Sequence, residues 1–114
     1  MKVYELKTSY GKYHITLKKG TYLSNGSLYV RMVETTPKGK KIKNYFDDLT
    51  VNLMFSNANE NKQYIDTNSL GNDILKWLKD NGIAKPTGEY GHSGFCTYPL
   101  YKFTKEALAE MEQI

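Results

Sequence analysis

Residues 27–35 read Ser-Leu-Tyr-Val-Arg-Met-Val-Glu-Thr. Leu28, Val30 and Met32 recur at every second position, so an extended strand would carry all three on one face. The residues between them are also bulky, which is typical of a strand with neighbours on both sides. The pattern therefore predicts a central strand of a sheet.

Turn sequences flank this strand on both sides. Asn25-Gly26 before it is a dipeptide favoured in type I′ turns, where both central residues take positive φ. Thr36-Pro37-Lys38-Gly39 after it is typical of a turn that leads into a returning strand over residues 40–46. The three segments predict two consecutive hairpins.

Further strands are expected outside these hairpins. Residues 13–17 alternate between apolar and polar side chains, and with residues 2–8 they predict an opening hairpin. Asp47-Asp48 is expected to end the returning strand, and a further strand is expected over residues 50–55. The first half is thus predicted to be an antiparallel meander.

The second half is predicted to hold the helices. An apolar face runs from Leu70 through Leu78, and Asn81-Gly82 is a favoured helix end, so the main helix is predicted over residues 70–81. Thr104 can cap a short last helix, residues 105–112. We expect an α+β fold in a single domain, residues 1–114, with an antiparallel sheet of about five or six strands packed against one main helix and a short C-terminal helix.

Composition predicts a globular protein of the cytoplasm. Hydrophobic residues make up 39% of the 114 residues, and ten tyrosines argue against disorder. The charged start is unlike a signal peptide, and no run approaches the roughly 20 apolar residues of a spanning helix. Cys96 is the single cysteine, so an internal disulfide is excluded. We expect no membrane association and a monomer or a homodimer.

The positive charge is concentrated in the first part of the chain. Residues 1–43 carry a net charge of +8 and residues 44–114 carry −4. Such asymmetry indicates either a surface for phosphate or an acidic partner, or a solvated sheet whose lysines protect an edge. The candidate binding residues here are Lys38, Lys40, Lys41, Lys43 and Arg31.

Residues 88–101 hold a second candidate site. Gly88, Gly91 and Gly94 recur at three-residue spacing between aromatic residues, which favours a shaped loop that binds a partner. The alternative is an Ω-like loop packed under its own aromatics. The candidate contact residues are Tyr90, His92 and Phe95.

Enzymatic chemistry is not expected. His92 lies near Cys96 in sequence, but catalytic Cys and His usually come from separate elements. His14 and His92 are far apart in sequence and have no carboxylate cluster nearby, which argues against zinc. We therefore predict no catalytic residues, no metal and no cofactor.

The segment Gly-Phe-Cys-Thr-Tyr-Pro-Leu-Tyr, residues 94–101, resembles a family of small uncharacterised proteins carried on bacterial plasmids, phages and conjugative elements. Matching residues extend back through Asn81-Gly82 and Trp77 to residues 64–68. The resemblance implies a genetic setting in which small one-domain proteins often block host defences. It favours a non-enzymatic inhibitor of a host defence nuclease, of anti-CRISPR or anti-restriction type, that binds a protein partner. The alternative is a nucleic-acid-binding accessory protein that uses the lysine-rich hairpin.

Overall fold

The computed structural model describes residues 1–53, 58 and 60–114, and it has nine strands and three short helices in these residues. In chain order the elements are β1 (Tyr4–Thr8), β2 (Gly11–Thr21), β3 (Leu28–Thr35), β4 (Ile42–Asp48), β5 (Thr50–Val51), β6 (Lys62–Ile65), α1 (Thr67–Leu70), α2 (Asp73–Asp80), β7 (Ala84–Ser93), β8 (Cys96–Phe103), α3 (Lys105–Glu110) and β9 (Glu112–Gln113). In that part of the chain no helix is long and apolar enough to cross a membrane.

The strands form two sheets, where the sequence predicted one. The first sheet has the order β1-β2-β3-β4, with β9 added in parallel beside β2. The second sheet has the order β5-β6-β8-β7. All pairings except that of β9 are antiparallel. The predicted α+β class and the N-terminal meander are confirmed, while the number and arrangement of strands differ.

The central position predicted for β3 is confirmed. It lies between β2 and β4, and the side chains of Val30 and Met32 are fully buried. Leu17 of β2 is opposite Met32, so one face of the first sheet supplies a continuous part of the core. The buried face of α2, with Ile74, Trp77 and Leu78, belongs to the same cluster.

The turn at Asn25-Gly26 is present, but the predicted type I′ geometry is wrong. Gly26 has φ of +72°, whereas Asn25 is not among the residues with positive φ. The backbone N–H of Tyr22 donates to Ser27 O at 2.9 Å, which closes a wider loop. The Asn25 side chain accepts from Ser27 N at 3.1 Å, and this local bond favours the wider turn.

The prediction that Asp47-Asp48 ends the strand is wrong. Both residues belong to β4, where Asp48 lies opposite Arg31. Each of the two carboxylates accepts a hydrogen bond from a hydroxyl group. Tyr29 Oη donates to Asp48, and Ser69 Oγ donates to Asp47. The following strand β5 is only two residues long. Residues 54 and 55, the end of the predicted 50–55 strand, lie outside the described residues.

The prediction of one main helix is also wrong. Gly71 has φ of +81°, a conformation that L side chains rarely adopt, and it ends α1 directly after Leu70. The carboxylate of Asp66 caps α1 by accepting from Ser69 N at 3.2 Å. The chain then begins a separate helix, α2, at Asp73. One predicted amphipathic helix is therefore two short helices with a glycine between them.

Residues 88–101 are not the loop that both the shaped-loop and the Ω-like-loop interpretations expected. They are most of the β7–β8 hairpin, whose turn contains Gly94 at φ +60°. Gly91 lies opposite Tyr98. It packs on a second, smaller core, whose buried members are Leu53, Tyr64, Tyr98 and Leu100. This core supports the hairpin from one face.

We predict that Gly91→Ala destabilises the fold by about 1–3 kcal/mol, because an added methyl group overpacks the second core. A Cβ at this position would lie 2.6 Å from Leu53 Cδ1 and 2.7 Å from Tyr64 Cε1. Gly20→Ala is the matched control, since its Cβ would have only an ordinary contact of 3.4 Å with Ile114. Urea denaturation measures both. Equal stability of the two variants would contradict this packing.

We further predict opposite effects for two Thr→Val changes. Thr16 is fully buried and its hydroxyl has no hydrogen-bond partner among the described residues, so Thr16→Val should stabilise by about 1 kcal/mol. Thr50 is also buried, but its Oγ1 accepts from Val30 N at 3.1 Å and bonds Tyr22 Oη at 2.9 Å. Thr50→Val should destabilise by about 1–3 kcal/mol. Thermal unfolding of both variants would contradict this account if the two shifts had the same sign.

Candidate functional site

The four predicted lysines lie together on the β3–β4 hairpin, and all four side chains are exposed. Lys38 is in the turn, which is closed by Gly39 N donating to Thr36 O at 2.8 Å. Lys40 and Lys41 follow the turn, and Lys43 is in β4. Lys43 has a long ion pair with Glu34, 3.9 Å, which screens it only in part. We call this region, residues 36–43, the lysine hairpin.

The turn of the lysine hairpin packs against the N-terminal segment of the chain. A Cβ at Gly39 would lie 2.8 Å from Val3 Cγ2 and 3.0 Å from Met1 Cε, and its φ is +68°. A glycine is needed there for both reasons. The turn that carries the lysines is therefore held in place by Met1 and Val3.

Lysines along this segment also fit a purely structural role. β4 is an edge strand of the first sheet, and residues 40–45 are exposed without interruption. Charged side chains on an exposed edge disfavour pairing with other chains. The lysine hairpin thus combines edge protection with a concentrated positive charge.

Arg31, which was expected to extend the lysine patch, is held in a network on the sheet. Its Nε donates to Tyr29 Oη at 3.1 Å, and the guanidinium lies 5.5 Å from the centre of the Tyr29 ring. Tyr29 Oη in turn donates to Asp48. Burial and the hydrogen bond to Asp48 raise the pKa of Tyr29. Since β4 spans about 20 Å from Ile42 to Asp48, this network is remote from the hairpin turn.

Tyr90, His92 and Phe95 all lie on the outer half of the β7–β8 hairpin, which we call the aromatic hairpin end (residues 90–99). Phe95 is in the turn with a relative exposure of 108%, and Tyr90 is 63% exposed. Tyr90 is opposite Pro99 and His92 is opposite Thr97, so Tyr90 and His92 share one face. His92 Nδ1 and Thr97 Oγ1 are 3.0 Å apart, and this bond fixes the imidazole.

A groove of about 440 Å³ borders the aromatic hairpin end. Its hairpin wall includes Tyr90, Thr97 and Pro99, and its opposite wall includes Asn72 and Leu75 from the helical region. The face that carries Tyr90 is thus concave next to the helices. Phe95 lies at the free end of the hairpin and is not part of this groove.

Apart from Arg31, the structure therefore places the predicted residues in two separate groups. The lysine hairpin belongs to the first sheet and the aromatic hairpin end belongs to the second. Among the described residues, no hydrogen bond or ion pair connects the two groups. They are two candidate contact elements on one scaffold.

The residues considered for nucleophilic or metal chemistry lie on two sheets, with Cys96 and His92 in the second and His14 in the first. Cys96 is half-buried beside the second core, and burial followed by the neighbouring thiol raises the pKa of Tyr98. His92 bonds Thr97, and His14 lies on the other sheet. In the described ranges, no group of three or more His, Cys, Asp or Glu residues could hold a metal ion.

Two exposed apolar side chains were missed by the sequence analysis. Tyr10 lies in the β1–β2 turn with 91% exposure, and Leu23 lies in the β2–β3 loop with 104% exposure. Tyr10 is the first residue of the turn dipeptide Tyr10-Gly11, and Leu23 lies two residues before Asn25-Gly26. The available signal was a large apolar residue inside a turn sequence, where no core position is expected.

The chain belongs to the family defined by a domain of unknown function, DUF4313, whose model matches residues 16–113. The match includes the lysine hairpin, the aromatic hairpin end and the whole second sheet, and it leaves out β1 and the start of β2. No curated protein and no solved structure matches the chain.

Proposed function

We propose that this chain is a non-enzymatic binding protein of a mobile genetic element, and that it inhibits a host defence nuclease by covering part of its surface. The genetic setting rests on the resemblance of residues 94–101 to proteins of plasmids, phages and conjugative elements. The mode of action rests on the two contact elements. The proposed target is a CRISPR or restriction nuclease, which makes the protein an inhibitor of anti-CRISPR or anti-restriction type.

The observation that carries this proposal is the exposure of Phe95. Its side chain is fully exposed at the end of a hairpin that packs on the second core. Burying such a side chain on a partner contributes about 1.5–3 kcal/mol. Rigid aromatic side chains commonly supply most of the energy of an interface. Phe95, with Tyr90 on the same hairpin, therefore suits the role of anchor.

The lysine hairpin adds electrostatic attraction. Residues 36–46 contain four lysines and no acidic residue. A concentrated positive potential accelerates association with an acidic surface and contributes less to the final affinity. An acidic surface of a nuclease has the charge that this hairpin would attract.

We predict that Phe95→Ser abolishes most inhibition without unfolding the protein. Loss of the anchor should weaken partner binding roughly 10- to 100-fold, because that is the equivalent of burying one large apolar side chain. Leu23→Ser is the matched control, since it removes an equally exposed apolar side chain at another turn. The readout is phage plating on hosts that carry a CRISPR or restriction system and express each variant.

A pull-down from the same hosts, with and without nuclease treatment, identifies the target. We expect a defence effector that remains bound after the treatment and is lost with Phe95→Ser. Equal protection by wild type and Phe95→Ser, or no protection by wild type in any such host, would contradict the proposal.

The alternative function is nucleic-acid binding through the lysine hairpin. The exposed lysines favour it, but the nearest exposed aromatic on the same strand, Tyr45, lies beside carboxylates. Burial, then the Asp48 and Asp47 carboxylates, raise the pKa of Tyr45 to about 12. These carboxylates repel phosphate at the position where a base would stack.

We therefore predict only non-specific affinity for oligonucleotides, with a Kd of roughly 10⁻⁴–10⁻⁶ M at physiological salt. Fluorescence anisotropy over a range of salt concentrations measures it. Tight binding that Lys38→Glu and Lys41→Glu eliminate, and that Phe95→Ser leaves intact, would make nucleic acid the main partner.

A further inference from the structure

A second, larger groove lies on the side of the helices away from the groove at the aromatic hairpin end. Neither the lysine hairpin nor the aromatic hairpin end lines it. It has a volume of about 770 Å³, which is within the usual range for ligand sites. Its walls are the β1–β2 hairpin and the α1–α2 region, and Phe46 and Asp47 of β4 close one end. We call it the tryptophan groove, because Trp77 lines it.

The break between α1 and α2 leaves the core partly uncovered here. Tyr13, Phe46 and Leu70 are packed on the main core but are only partly buried. Tyr13 and Phe46 form an edge-to-face pair with ring centres 5.1 Å apart. Trp77 Nε1 donates to Glu5 O at 2.9 Å, so the indole is fixed against β1. The groove thus has an ordered aromatic floor.

The charge around this floor is negative at the end near β4. Glu5 is paired with Lys12 at 3.0 Å, and Asp80 is paired with Lys76. Lys7 also lines the groove, from β1, which lies at the other edge of the first sheet from β4. Asp47 and Asp73 have no ion pair with a lysine or arginine in the described part of the chain. Asp47 accepts only from neutral donors, Ser69 Oγ and Asp48 N.

Asp66 confirms that carboxylates converge at this end. Burial, and after it the charges of Asp47 and Asp48, raise the pKa of Asp66. Burial is the first cause of this shift, and the like charges of Asp47 and Asp48 add to it. A cation from a ligand would relieve this repulsion, whereas an anion would increase it. The rest of the protein carries a net positive charge, so the negative potential is local.

We propose that the tryptophan groove binds a segment of a partner protein in which an apolar side chain lies next to an arginine. The apolar side chain packs on Trp77 and Leu70, and the guanidinium lies between Asp47 and Asp73. Arginine fits better than lysine, because its planar group can stack on the Phe46 ring while it donates to both carboxylates. This site is independent of the function proposed for the hairpins.

The chain offers a direct probe of this site. Trp77 is its single tryptophan, so a change in tryptophan emission reports on the groove floor. The titrants are two synthetic peptides, acetyl-Leu-Arg-Leu-amide and the same peptide with uncharged citrulline in place of arginine. We expect a saturable change with the arginine peptide, and binding of the citrulline peptide weaker by about fivefold or more.

The variants separate the charge from the fold. The double variant Asp47→Asn and Asp73→Asn should bind the two peptides equally, since asparagine keeps an acceptor but removes the charge. Glu106→Gln is the matched control, because Glu106 is likewise an acidic residue in the first turn of a helix but lies outside the groove. It should keep the preference for arginine, and so should Phe95→Ser.

Two results would overturn the proposal. One is equal affinity of wild type for the arginine and citrulline peptides. The other is the absence of any saturable change, both in Trp77 emission and in the amide NMR shifts of the residues that line the groove. Since the asparagine variant and wild type are compared by the same NMR spectra, a folding defect would be visible and would not be read as lost binding.

Discussion

The two sheets are joined by hydrogen bonds from two buried polar side chains, Thr50 and Gln63. Thr50 Oγ1 accepts from Val30 N, and Gln63 Nε2 donates to Leu28 O at 2.8 Å and to Ser27 Oγ at 3.1 Å. Both residues are almost completely buried, so loss of these bonds would leave unpaired polar groups without water. This constraint fixes β5 and β6 of the second sheet against β3 of the first.

Both contact elements depend on this junction. The lysine hairpin continues from β3, and the aromatic hairpin end continues from β8, which pairs with β6. Each hairpin extends away from the junction and is held by packing contacts at one of its glycines. Met1 and Val3 support the first, and Leu53 and Tyr64 support the second through Gly91. Exposed lysine and phenylalanine side chains add little to folding, so these ends are free to serve binding.

The sequence was informative where a local pattern determined the structure. Alternation in residues 13–17 and 27–35 predicted the meander, because strand periodicity is visible without knowledge of distant contacts. The helix break was visible as Gly71 inside an apolar pattern, but the continuous apolar face suggested one helix. Gln63 had no comparable signal, because its hydrogen-bond acceptors Ser27 and Leu28 are far away in sequence.

The candidate sites were predicted to a similar extent. Exposure of the four lysines and of Phe95 agrees with their polar or glycine-rich sequence surroundings. Arg31 was expected to join the lysines, yet the register of β3 and β4 places it opposite Asp48. The tryptophan groove could not be predicted, since it forms where β1, β2, β4 and the two helices meet. Pairing register and helix breaks are tertiary properties that residue spacing alone does not determine.

The central claim is that the aromatic hairpin end contacts a protein. Photocross-linking from position 95 tests it most directly, with a benzophenone amino acid in place of Phe95 in a host that carries a defence nuclease. The account predicts one discrete protein adduct that survives nuclease treatment and is absent when the same group replaces Leu23. Adducts to nucleic acid alone, or equal labelling from both positions, would contradict it.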